Sequence, residues 1–101
     1  MSNQNIYREV DTLSDIRAIN RQIRGEIRDV ASRDQITEFK KRSDYLCTLT
    51  RAPSWQEKFG DKADRFLEVA KQENERTTKT ANSVARRQGI DAEYHPWQGG
   101  N

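Results

Sequence analysis

The single cysteine and the single histidine, Cys47 and His95, are the only pair from which thiol nucleophile chemistry could be assembled. Such a site needs a depressed thiol pKa, an imidazole within hydrogen-bond reach and oxyanion donors. Cys47 instead falls at the edge of an apolar helical stripe, where a buried structural thiol is expected. Asp91, Glu93 and His95 alternate in a segment with no helical period, and an extended backbone would point all three to one side. Zinc chemistry asks for three or four ligands in a compact motif such as His-Glu-x-x-His, which is absent. Asp61, Asp64 and Glu68 share a helical face, but Lys58, Lys62, Arg65 and Lys71 are interleaved with them, which reads as ion-paired surface. Gly99 and Gly100 lie beyond any helix they could introduce, so no phosphate cradle forms there. The reading is of a protein without catalytic, metal or cofactor residues: not an enzyme.

Binding cues are stronger. At 100° per residue, Arg17, Arg21, Arg24 and Arg28 fall on one flank of an apolar seam, with Asp11, Asp15, Glu26 and Asp29 toward the other side. Arginine stems also cover apolar surface while the guanidinium stays in water, so this flank reads as a solvated face, a protein-docking face or a set of phosphate contacts. Lys40, Lys41 and Arg42 form a second basic run and Arg86 with Arg87 a third. The residues of the run at 40–42 point in three directions on a helix. Tyr94, His95, Pro96 and Trp97 form the most distinctive short stretch. Tyr94 and Trp97 either close one end of the fold or anchor another protein, since such side chains are common interface hot spots.

Helices must position all of these. Val10, Leu13, Ile16, Ile19, Ile23, Ile27 and Val30 recur at helical spacing and predict a first helix over 7–31, with Thr12 or Ser14 as a later alternative start. Ser32 and Gln35 have capping-box spacing and open a second helix over 33–51, which Pro53 stops. Ser54 and Glu57 repeat that spacing and predict a turn or two of helix over 55–59. Gly60 and Asp61 offer a break and a fresh cap for a long helix over 61–88, closed by Gly89 in a left-handed conformation with Ile90 folding back. The long helix carries Phe66, Leu67 and Val69 in its first half but Asn74, Thr77, Thr78 and Thr80 in its second.

The expected fold is therefore all-α: one domain over 1–101, a small bundle of three main helices with a short linking helix, a core over about 7–90 and an extended aromatic tail over 91–101. Apolar residues make up 33% of the chain against 34% charged, too few for a generous monomeric core. The seam of Ile16, Ile23 and Ile27 looks larger than the polar half of the long helix can cover. That predicts a homodimer with the opposed charge flanks of the first helix in register, the competing readings being a compact monomer of modest stability or cover by another protein. One cysteine forbids an internal disulfide, and there is neither a signal-peptide pattern nor an apolar run of membrane-span length, so a cytoplasmic location with no membrane contact is expected. A net charge of +2 does not by itself imply nucleic acid. The functional expectation is protein interaction or a structural role, and the second reading is nucleic-acid binding through Lys40, Lys41, Arg86 and Arg87.

Overall fold

Thr12 and Asp15 fix where the first helix starts. In the computed structural model, which describes residues 10–30 and 32–98, Thr12 takes an extended conformation (φ −133°, ψ 163°) and its hydroxyl accepts from Asp15 N at 3.2 Å. The Asp15 carboxylate reaches back to accept from the backbone N–H groups of Asp11 and Thr12, both at 2.9 Å. These bonds occupy donors that a helix N-terminus otherwise leaves without partners. Helix α1 is therefore Leu13–Asp29, starting later than the apolar period alone predicts. Val10 keeps that period and is buried although it lies outside the helix. Residues 7–9 and 31 of the expected helix lie outside the described residues.

Ser32 accepts from Gln35 N at 3.2 Å and opens α2, Arg33–Arg51. Pro53 ends it, and the same proline occupies the first position of α3, Pro53–Phe59, where its missing N–H costs nothing. Ser54 makes no cap: the N-cap is Ala52, with no side-chain bond. Gly60 turns the chain at φ 55°, a conformation costly for any residue with a Cβ, and a 3₁₀ turn, Gly60–Lys62, runs into α4, Ala63–Arg87. Asp61 therefore lies inside that turn and does not cap the long helix. At the far end Gly89 (φ 70°) donates to Arg86 O at 3.1 Å and Ile90 N to Ala85 O at 2.8 Å, the paired bonds of a Schellman ending.

The main helices run up, down and up. Asn20 meets Ser43, and Ser43 meets Asn74, while Arg24 meets Glu73 and Gln88 meets Val30. Helices α1 and α4 are thus parallel, with α2 antiparallel to both. Ile16, Ile23 and Ile27 are 0%, 4% and 0% exposed, each worth about 1.5–3 kcal/mol of burial. Trp55, Phe59 and Phe66 close the lower end, their ring centroids 4.5–5.6 Å apart.

One expectation needs correction. Thr77, Ala81 and Val84 of the second half of α4 are 0%, 0% and 2% exposed, so this half does pack on the seam within one chain. The apolar deficit that pointed to a second copy is met by hydrogen-bonded polar side chains and by the tail. Ile16, Ile23 and Ile27 are interior residues and offer no docking surface.

Candidate functional site

A continuous polar chain crosses the middle of the bundle. Asn20 Oδ1 accepts from Ser43 Oγ at 2.7 Å and from Thr77 Oγ1 at 3.0 Å, while its Nδ2 donates to Ile16 O at 3.1 Å. Asn74 Nδ2 donates to Ser43 Oγ at 2.9 Å and to Asp44 Oδ1 at 2.8 Å. Arg24 Nη1 donates to Glu73 Oε1 at 3.0 Å and lies 3.4 Å from Thr77 Oγ1. Asn20, Ser43, Asn74 and Thr77 are at most 1% exposed, where an unpaired polar group costs about 1–3 kcal/mol. Pairing among themselves lets helices that are short of apolar side chains pack without that penalty.

The tail is built into the same network. From Ile90 it turns back and lies extended between α2 and α4, running antiparallel to α4. Tyr94 exchanges both backbone groups with Asn82, and Trp97 N donates to Asn74 Oδ1 at 2.8 Å. His95 O accepts from Lys40 Nζ. Tyr94 Oη shares a 2.9 Å hydrogen bond with Thr37 Oγ1, and Trp97 Nε1 donates to Thr48 Oγ1 at 3.0 Å. Tyr94 and Trp97 thus fill a groove of their own chain, half-buried, in place of offering an exposed anchor.

Thiol and metal chemistry find no support in this geometry. Cys47 is fully buried while His95 is exposed on the tail. Burial pushes the Cys47 thiol up to about 12, and the negative charge of Asp44 adds to the effect. Asp91, Glu93 and His95 are exposed together as the alternation predicts, but no group of three potential ligands gathers among the described residues. Glu68 is engaged with Arg65 at 3.3 Å.

The basic residues separate. Arg24 leaves the flank assigned to it: its side chain is 8% exposed and tied to Glu73, whose other oxygen takes Arg76 at 3.3 Å. Arg17, Arg21 and Arg28 remain exposed on that flank. Lys40 is buried, bonded to Asp44 at 2.6 Å and to the tail, so it is no surface contact. Lys41 is exposed on α2, and the Arg42 guanidinium stacks 4.5 Å from the Phe39 ring centre. Arg86 lines a hollow beside Asp91 and Glu93. Arg87 faces the other way and lines a hollow of about 240 Å³ with Arg28, Lys79, Thr80, Ser83 and Val84.

Arg28 of α1 and Lys79 and Arg87 of α4 therefore meet at one surface, and the row Arg17–Arg21–Arg28 leads into it. At 1.5 Å per residue that row is about 16 Å long. None of these five cations forms an ion pair among the described residues. Lys79 and Ser83 escape a reading of the sequence because only the parallel packing of α1 and α4 brings them to Arg28. The successive i, i+4 steps from Lys79 to Ser83 and from Ser83 to Arg87 are the one signal available beforehand. No protein-family model matches the chain, and no curated protein or solved structure matches it.

Proposed function

We propose that this protein is a non-enzymatic binding domain that engages the phosphate backbone of nucleic acid through the cationic face of α1 and α4. The observation that carries the reading is the set Arg17, Arg21, Arg28, Lys79 and Arg87, exposed on two parallel helices with no ion-pair partner among the described residues. Interfaces between proteins concentrate their energy in buried aromatic and apolar anchors. Of the candidates for that role, Ile16, Ile23 and Ile27 are interior, and Tyr94 and Trp97 are half-buried in a groove of this chain. Among the described residues Tyr45 is the one large hydrophobic side chain that is exposed, and it lies on α2, not on either helix of the cationic face. A face of cations without apolar anchors suits a charged, repetitive ligand. Affinity for such a ligand comes from counterion release and depends steeply on salt.

Of the four residues that the sequence offers for nucleic acid, Lys40 is interior, Lys41 is on another helix and Arg86 sits beside carboxylates, so Arg87 is the member that belongs to this face. Arg17, Arg21 and Arg28 come from the arginine flank of α1, for which phosphate contacts are one of three readings. Fluorescence anisotropy with a labelled ten-nucleotide single strand, between 50 and 200 mM salt, tests the proposal. With about four phosphate contacts the slope of log K against log salt is about −3. Arg21→Glu weakens binding about tenfold or more, and Lys41→Glu leaves it nearly unchanged. Binding that is absent at 50 mM salt, or that Lys41→Glu weakens as much as Arg21→Glu, rules this face out. Retention of an acidic protein but of no nucleic acid would return the function to protein docking.

A further inference from the structure

We propose that the hollow between the C-terminal halves of α1 and α4 is a binding site for a terminal phosphate group, the dianionic phosphomonoester at the end of a nucleic-acid strand. The inference rests on the reading of the α1/α4 face above and assigns a distinct task to one part of it. Arg28, Lys79 and Arg87 line one hollow of about 240 Å³, with Ser83 and Thr80 beside them and Val84 completing the wall; no carboxylate is in the lining. The Ser83 hydroxyl makes no hydrogen bond among the described residues and can donate to a ligand. Thr80 Oγ1 is already turned to Arg76 O at 3.1 Å, so Thr80 acts as wall.

Three cations from two helices gathered in one place repel one another unless an anion sits between them. Elsewhere Arg24 is matched across helices by Glu73, Lys40 within α2 by Asp44, and Lys58 of α3 by Asp11 at 3.1 Å. A phosphodiester carries one negative charge and would leave two of the three cations unmatched. A phosphomonoester carries about −1.5 to −2 at neutral pH and has three acceptor oxygens, so guanidinium, ammonium and hydroxyl donors can be engaged together. The C-terminal ends of α1 and α4 oppose an anion only weakly, since a helix terminus acts as about half a charge and its effect fades within a turn. Lys79 and Ser83 lie one to two turns inside α4. Two carbonyls of its last turn, those of Ala85 and Arg86, are also occupied, by the N–H groups of Ile90 and Gly89.

A strand end, in preference to a phosphorylated protein side chain, is favoured by what adjoins the hollow. Arg21 and Arg17 are exposed and continue the row down α1 from Arg28 at helical spacing, a linear series of cations that suits the successive diesters of a strand better than the varied side chains of a peptide.

The test compares a ten-nucleotide strand bearing a 5′-phosphate, the same strand bearing a 3′-phosphate, and one with hydroxyls at both ends, each labelled internally, at fixed ionic strength. A phosphorylated strand is expected to bind about tenfold tighter than the hydroxyl strand, and the two phosphorylated arms identify which end is read. Lys79→Gln with Ser83→Ala should remove that preference, while Arg17→Gln should weaken all strands and preserve it. Both sets of side chains are exposed, and circular dichroism checks that the variants stay folded. Equal binding of all three strands overturns the terminal-phosphate site while leaving the face reading intact, as does a preference that survives Lys79→Gln with Ser83→Ala. A phosphoserine peptide that binds as tightly as the phosphorylated strand overturns the assignment to strand ends. If no strand binds, the face reading fails and inorganic phosphate decides the hollow. Amide shifts confined to Arg28, Lys79, Ser83 and Arg87, absent with chloride at equal ionic strength, support it, and no such shifts overturn it.

Discussion

Asn82 grips Tyr94 by both of its backbone groups: the Asn82 amide donates to Tyr94 O at 2.9 Å and its carbonyl oxygen accepts from Tyr94 N at 2.7 Å. One side chain thereby does for the tail what a neighbouring strand does in a sheet. Asn82→Ala loses both bonds, a cost of about 1–3 kcal/mol. Hydrogen exchange should show the Tyr94 amide losing protection while amides in the middle of α1 keep theirs. Unchanged exchange at Tyr94 would mean that the grip on the tail lies elsewhere, at Trp97 or Lys40.

Arg24 and Arg17 stand seven residues apart on α1, one turned inward and one exposed, and they should respond to mutation very differently. Removing Arg24 strands Glu73 in a buried site with only the exposed Arg76 as partner, which costs about 3–5 kcal/mol. Arg17→Ala should change stability by less than about 0.5 kcal/mol. In urea denaturation, Arg24→Met combined with Glu73→Met should cost clearly less than the sum of the single changes, because no uncompensated charge is left behind. Strict additivity would show that the pair is not coupled.

Cys47 should resist modification. Its thiol is buried and pushed up to about 12, so almost no thiolate exists at pH 8. An aromatic disulfide reagent should react with it only as fast as the protein unfolds, and at full rate in denaturant. Rapid labelling of the folded protein would contradict the burial.

Asp15 gives the start of α1 a dependence on pH. Backbone N–H groups of Asp11 and then Thr12 hold its carboxyl below the ordinary value of 3.8. A pKa depressed in the folded state contributes stability that is fully present above the unfolded value and is lost as pH falls through the lower folded value. Between pH 5 and pH 2 the wild type should therefore lose more thermal stability than Asp15→Asn, which has no charge to titrate at that cap. Parallel losses in the two proteins would show that Asp15 does not couple to folding.

The sequence by itself determined the elements. Helical spacing from Ile16 to Val30, the Ser32 cap, Pro53 as a stop and the Gly89 ending are relations within a few residues of chain, where backbone geometry and side-chain period act directly. The all-α class follows from them, as does the placing of Cys47 as a buried thiol. Tertiary structure decided which polar groups are interior. Asn20 meets Thr77 across 57 positions of sequence and Lys40 meets the His95 carbonyl across 55, and no local pattern marks either pair. The same cause divides the arginines of α1, since Arg24 turns inward only because Glu73 stands opposite it. It also assembles the hollow, where Arg28 joins Lys79 and Arg87 because two helices separated by the whole of α2 pack side by side. Periodicity assigns a residue to a face of its own helix, but the partner facing it is fixed only when the helices pack.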